Sequence, residues 1–298
     1  MRPILPFGPA QPKLVRSGMK LQVIHRTNYT YAQPVAQNYN ELRVQPVSDA
    51  AQFCDSFLLK ILPATRLSHY LDFYLNRVHY FEIPEPHASL AIESVSRVST
   101  SPAPLPDDAD TSGMDRLPEC LKMEKCYDFL QASTFVATTP EVWRLALDAS
   151  AGQKDIWRAA VAIRRFIHAN FTYTPKVTTV NTHVLEVLKL RCGVCQDFAH
   201  LMLGMCRAVR IPARYVSGYL YNGPTDTLIG AQASHAWCEV YIPDLGWHGL
   251  DPTNDRQADD RYVRIATGRD YADIVPVKGH YKGTSDRSMT VDVQVTAL

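Results

Sequence analysis

The sequence predicts an α+β fold: helices packed on an antiparallel sheet, preceded by a small β-sandwich-like domain. Three observations lead there. Residues 20–100 are β-branched and aromatic runs punctuated by Pro, Asn and Asp, without a long helical period. Spacing turns helical after residue 119, and strand patterning returns from residue 213. The composition is that of a globular protein with ample core material, 46% hydrophobic and 20% charged over 298 residues. That length suggests about two domains.

The first 18 residues, MRPILPFGPAQPKLVRSG, hold basic residues and four prolines but neither a continuous apolar stretch nor a small-residue cleavage site. They read as a flexible extension rather than a signal peptide. Strand patterning begins at Met19, an alternative start. Within the β-rich domain, 19–100, the strand-like runs are LQVIHRTNYTY, ELRVQPV, SFLLKILP, HYLDFYLNRVHYFEI and SLAIESVSRVS. SPAPLPDDADTSG opens a linker over 101–118.

The main domain is expected over 119–260. Helical spacing covers Glu119 to Ala132, Pro140 to Ser150 and Asp155 to Asn170. In the last, Ile156, Ala160, Ile163 and Ile167 recur at steps of three and four. Pro140 after two threonines suits a helix opening, and Asp155 suits a cap. HVLEVLKL is a further helix. In VCQDFAHLMLGMCRAV, residues Phe198, Leu201, Met202, Met205 and Val209 form one stripe, closed by Ile211-Pro212. Strands follow as ARYVSGYLY, SHAWCEVYIP and GWHGLDP. A C-terminal segment, 261–298, is expected to pack on the core and to end in the strand-like SMTVDVQVTAL.

Net charge is +1 and the pI about 7.6, so no bulk property points to nucleic acid or to an anionic membrane. No apolar run nears the roughly 20 residues of a membrane span. Seven scattered cysteines, an odd number, argue against a disulfide framework and for reduced thiols in the cytoplasm. No acidic cluster suggests a calcium loop, and no cofactor or metal is expected.

The stretch RCGVCQDFAHL, 191–201, carries the chemistry. Cys192 and Cys195 have the spacing of a redox pair, but that motif follows a strand, and here a helix precedes it. Zinc ligation with His235 and Cys238 fails because an odd offset on a strand points those two to opposite faces. Cys54, Cys120, Cys126, Cys206 and Cys238 read as ordinary buried cysteines. Cys195 differs by position. Gly193 allows a tight entry, and Cys195 falls in the first turn of a helix, where unpaired N–H groups favour a thiolate and can hold an oxyanion. Downstream, His235 and Asp251 lie on what reads as a hairpin bent at DLG, at comparable heights on adjacent strands. A helix-opening cysteine packed on that hairpin makes a Cys–His–Asp arrangement.

These residues resemble the transglutaminase-like superfamily, whose core is papain-like. The likeness rests on GVCQDFA at 193–199, IPARYVSGY at 211–219 and SHAWCEVYIPDLGWHGLDPT at 234–253, in the order Cys, His, Asp. Residues 20–100 and GRDYADIVPVKGHYKG at 268–283 are similar to the bacterial members with a β-rich N-terminal region. The resemblance implies a nucleophile at Cys195, a base at His235 and a third member at Asp251. It implies acyl transfer from an amide or peptide bond through a thioester, resolved by water or an amine. The expected partners are then a peptide or protein substrate and an amine acceptor. A peptide- or partner-binding module without catalysis is the competing class. Around the three, Asp197 is expected as a cap, Gln196 is a candidate for an exposed group touching substrate, and Trp237 and Trp247 are candidates for shields, with ordinary packing the competing reading. His200 is expected to be structural, Tyr173 to be an oxyanion donor, and Arg269, Asp270 and Tyr271 to be binding groups if the tail covers the cleft.

Overall fold

A computed structural model describes residues 18–102, 104–224, 227–230 and 233–298; the expected N-terminal extension lies outside these up to residue 17. Five strands open the chain: β1 (Lys20–Leu42), β2 (Gln52–Leu62), β3 (Ser68–Leu71), β4 (Arg77–Ile83) and β5 (His87–Thr100). β1 organises them. Its first half pairs antiparallel with β5, and its second half with β4 after a register break between Thr30 and Val35. The run ELRVQPV is therefore not a separate strand; its start completes β1. Tyr29, Tyr31, Val35, Ile61, Phe81, Ile83, Leu90 and Ile92 share one buried cluster. The domain is a single seven-stranded antiparallel sheet whose two parts are joined through β1.

The helical region comprises α1 (Leu117–Cys120), α2 (Glu124–Tyr127), α3 (Pro140–Ala149) and α4 (Ile156–Asn170), then β6 (Thr172–Tyr173), α5 (Val184–Leu190), β7 (Cys192–Gly193) and α6 (Cys195–Ala208). The helix expected over 119–132 is broken into α1, α2 and a 3₁₀ turn at Asp128–Leu130. The reason is visible in the side chains. Leu117, Cys120, Met123, Cys126 and Phe129 recur every third residue, a period that suits 3₁₀ turns and drifts off the face of an α-helix. Asp155 caps α4 as expected, accepting the Arg158 N–H at 3.1 Å. Phe198, Leu201, Met202 and Met205 of α6 are fully covered.

α4 and α6 pack on a five-stranded antiparallel sheet of β8 (Ala213–Leu220), β9 (His235–Ile242), β10 (Gly246–Asp251), β11 (Arg256–Gln257) and β12 (Tyr262–Gly268), in the order β11-β10-β9-β8-β12. The core sheet thus reaches past residue 260. The remaining tail, β13 (Val277–Lys282) and β14 (Arg287–Ala297), pairs with β1, and β14 sets Val293 and Val295 against the core cluster. Alternation in SMTVDVQVTAL predicts a strand but not its neighbour. Two side-chain amides join the sheets much as a strand would. Gln52 brackets Arg264, and Asn76 brackets Thr267, each donating to the main-chain carbonyl and accepting the N–H. Among the described residues no helix is long and apolar enough to cross a membrane.

Candidate active site

Cys195 is the first residue of α6, and its surroundings are fixed by what precedes it. Arg191 closes α5 in the left-handed region, at φ 54°. Val194 is extended, and its N–H donates to Asp197 Oδ2 at 2.8 Å. Thr178 donates its hydroxyl to the same oxygen at 2.6 Å. A side chain at Gly193 would be crowded, because a Cβ would sit 2.7 Å from Asp197 Oδ2 and 2.8 Å from its Cβ. Asp197 is thus the expected cap. Burial pushes its carboxyl upward, against the Thr178 and Val194 hydrogen bonds. The parallel pairing of β6 with β7 sets Tyr173 opposite Gly193.

β9 and β10 deliver the other two groups. His235 Nε2 donates to Asp251 Oδ2 at 2.7 Å, and neither side chain is exposed. Asp251 is held from all sides. Its Oδ2 also accepts from Asn254 Nδ2 and Tyr262 OH, both at 2.8 Å, and its Oδ1 accepts the N–H groups of Thr253 and Asn254. His235 Nδ1 is buried and has no hydrogen-bond partner of its own. Gly230, at φ 91°, lies against that nitrogen; a Cβ would come within 2.3 Å of it.

Burial opposes a charge on His235. The charge and hydrogen bond of Asp251, helped by Cys195, outweigh it and raise His235 from 6.5 to about 10. Burial likewise acts to raise Asp251, yet His235, Asn254 and Tyr262 hold it below the usual carboxylate range. The structure therefore brings Cys195, His235 and Asp251 together. Trp237 lies on His235, ring centroids 6.1 Å apart, and meets Tyr262 edge-on at 5.2 Å. Tyr173, paired with Gly193, is pushed up to about 12, chiefly by burial and further by the charges of Cys195 and Asp197.

Other expected neighbours lie elsewhere. Gln196 is buried rather than exposed, and its amide donates to the Val180 carbonyl. Trp247 packs on Phe129, Tyr241 and Arg214, and it pairs with Tyr241, six residues along β9 from His235. Arg269 is engaged by Asp273, and Asp270 accepts the N–H groups of Phe135 and Ala272. Tyr271 packs on Tyr215 and donates its N–H to His200 Nε2; the side chains of Arg269 and Asp270 are thus committed to structure. His200 is a buried structural histidine, lowered to about 3 chiefly by burial. Cys238 donates to the Ala199 carbonyl. Among the described residues no three His, Cys, Asp or Glu side chains gather as a metal group. Asn254 and Tyr262 escaped the sequence reading. DPTN hinted at the first, since Asn is three residues after Asp251; nothing local marked Tyr262, which arrives on the far edge of the sheet.

Two family models match the chain: the transglutaminase-like superfamily core over residues 144–252 and the bacterial transglutaminase-like N-terminal region over 21–99. An uncharacterized protein of Mycobacterium leprae is 33% identical over 284 residues, spanning 94% of this chain and 99% of that protein. A protein named protein-glutamine gamma-glutamyltransferase from Pseudomonas aeruginosa is 34% identical over 100 residues, 32% of this chain and 15% of its own length. Among solved structures, the "Putative Cysteine Protease" from Cytophaga hutchinsonii shares the fold, with a TM-score of 0.73 at 23% identity over 94% of this chain and 91% of that one.

Proposed function

Because this chain belongs to the transglutaminase-like superfamily, with that group's bacterial N-terminal region ahead of its core, we propose that it is a cysteine enzyme transferring the acyl group of an amide or peptide bond through a thioester. One observation carries the reading: His235 is clamped by Asp251 through Nε2, while Nδ1, otherwise unpartnered, is left for the sulfur at the start of α6. Asp251 fixes the imidazole's orientation and favours its charged form. The thiolate of Cys195 attacks the carbonyl carbon, forming a C–S bond. The first N–H groups of α6 face the developing oxyanion. Tyr173, which stands opposite Gly193 and keeps its proton at neutral pH, is our candidate for a further donor beside them. His235 Nδ1 gives its proton to the leaving amine as the C–N bond breaks. Water or a second amine, deprotonated by the same nitrogen, then releases the acyl group. The name of the Pseudomonas relative makes a glutamine side chain the first acyl donor to try, with a primary amine as acceptor.

The test begins with the nucleophile. Iodoacetamide is added at pH 7 and each cysteine is read by peptide mass spectrometry. Cys195 is expected to react ahead of Cys54 and Cys192, and His235→Ala to slow it by about 10²-fold, the usual scale of a lost general base. A glutamine-containing peptide with a fluorescent amine then separates transfer from hydrolysis, with Cys195→Ala as the blank. Equal reactivity of all three cysteines, unaffected by His235→Ala, would leave a non-catalytic peptide-binding module as the reading.

A further inference from the structure

Between β6 and α5 the chain crosses residues 174–183 without a helix or strand, yet this segment is tied down beside the proposed nucleophile. Tyr173 pairs with Gly193, and Thr174 donates its N–H to the Gly193 carbonyl at 2.9 Å. Thr178 donates its hydroxyl to Asp197 Oδ2 at 2.6 Å. The Val180 carbonyl accepts from Gln196 Nε2 at 3.0 Å. These anchors, at 193, 196 and 197, bracket Cys195 in the chain. The stretch 174–180 is therefore held along the opening of α6 as one bank of the site.

What this bank shows to solvent is apolar. Val177 is 45% exposed and Val180 53%, while Thr178 between them is turned to Asp197. Exposed valines scattered over a surface need no explanation. These two are fixed next to a thiol by hydrogen bonds to its own helix. Their β-branched side chains are stiff and lose little freedom on being covered. On the His235 side of the site the main chain of Gly230 lies against the imidazole and offers no side chain. We propose that Val177 and Val180 select the acyl donor: they cover the residues next to the reacting glutamine, and the substrates are peptides whose glutamine has aliphatic neighbours. The proposal rests on the acyl-transfer reading above and names its substrate class. An extended peptide advances about 3.3 Å per residue. A glutamine at Cys195 thus carries its immediate neighbours within reach of a bank anchored at residues 193–197. Lys176 is the one charged residue from Thr172 to Thr182, and it sets basic neighbours at a disadvantage.

Three peptides of one sequence, with glutamine between two leucines, two serines or two arginines, would be compared on the full chain. The first readout is protection of Cys195 from iodoacetamide, by peptide mass spectrometry; the second is transfer to a fluorescent amine. The leucine peptide should protect at a concentration about tenfold below the serine peptide, the scale on which apolar contacts discriminate, and the arginine peptide should protect least. Val177→Ser with Val180→Ser should remove the leucine advantage, raising KM for that peptide about tenfold with little change in kcat. Alkylation of Cys195 without peptide checks that the nucleophile is intact in the double variant. Equal protection by the leucine and serine peptides, protection by none, or a leucine preference that survives in the double variant would overturn the assignment, even with Cys195 shown to be a primed nucleophile. If the double variant does not fold, the comparison of the three peptides on the parent chain decides. A Cys195 that reacts no faster than Cys54, yet is still protected best by the leucine peptide, would support the apolar bank and overturn the acyl-transfer reading.

Discussion

Asp251 holds His235 with an oxygen that it shares with Asn254 and Tyr262. Such sharing keeps a buried carboxylate charged, because every donor favours the ionised form. Tyr262 adds a second constraint, since its ring also lies against Trp237 and so ties the acid to the stack beside the base. Removing only its hydroxyl is therefore informative. Tyr262→Phe should destabilise the protein by about 1.5–3 kcal/mol, the range for a hydrogen bond to a charged group, as read by urea denaturation. It should also slow alkylation of Cys195 while leaving its order among the cysteines intact. Asn254 has a further duty. Its amide carries Asp251 on one side and exchanges hydrogen bonds with the main chain of Ile229 on the other, which sets Gly230 against His235.

At the scale of elements, α6 depends on the turn before it. Gly193 and Asp197 are in contact, and the N–H of Val194 depends on that contact. Gly193→Ala should cost about 1–3 kcal/mol, as overpacking does, and should lower the reactivity of Cys195 together with stability; thermal melts and alkylation rates measured side by side would show the coupling. This turn, and the hairpin bearing His235 and Asp251, were legible in the sequence because each is local: a Gly before a helix start, and two strands bent at DLG. Long-range pairing was not legible. Nothing in the alternation of residues 21–42 says that one strand continues through both halves, and nothing in residues 288–298 says that it returns to β1. The failed helix at 119–132 is a different case. Its every-third-residue repeat was present in the sequence, and it favours 3₁₀ turns that helical spacing alone does not distinguish.

The whole molecule joins its two sheets through buried polar contacts, and these make it sensitive to pH. His25 on β1 bonds to Tyr219 of β8 at 2.7 Å and to Thr27 at 2.9 Å. Burial lowers it to about 4, with the Asp292 charge only partly opposing. Between 6.5 and about 4 the unfolded chain takes up a proton that the folded chain refuses, so stability falls on acidification through that window. His235 works in the opposite direction. Raised to about 10, it contributes stability that is complete below 6.5 and fades as pH climbs through 10. Melting temperatures across pH 4–10.5 should therefore fall at both ends. His25→Gln should soften the acid limb, and His235→Gln the alkaline one. A limb that keeps its slope in the matching variant would assign that sensitivity to other groups.

The pairing of β14 with β1 also sets a schedule for synthesis. β1 begins at Lys20, and the strand that covers its edge begins at Arg287. At ribosomal speeds of about 5–20 residues per second, the interval between them is on the order of 10–50 s. Throughout it the first sheet exists without its closing strands, and a long strand presents unpaired N–H and C=O groups to whatever else in the cell can add a strand. Nascent chains of this protein are thus bound to wait, and a chaperone that shields strand edges would do more for its yield than one that speeds the folding of the core.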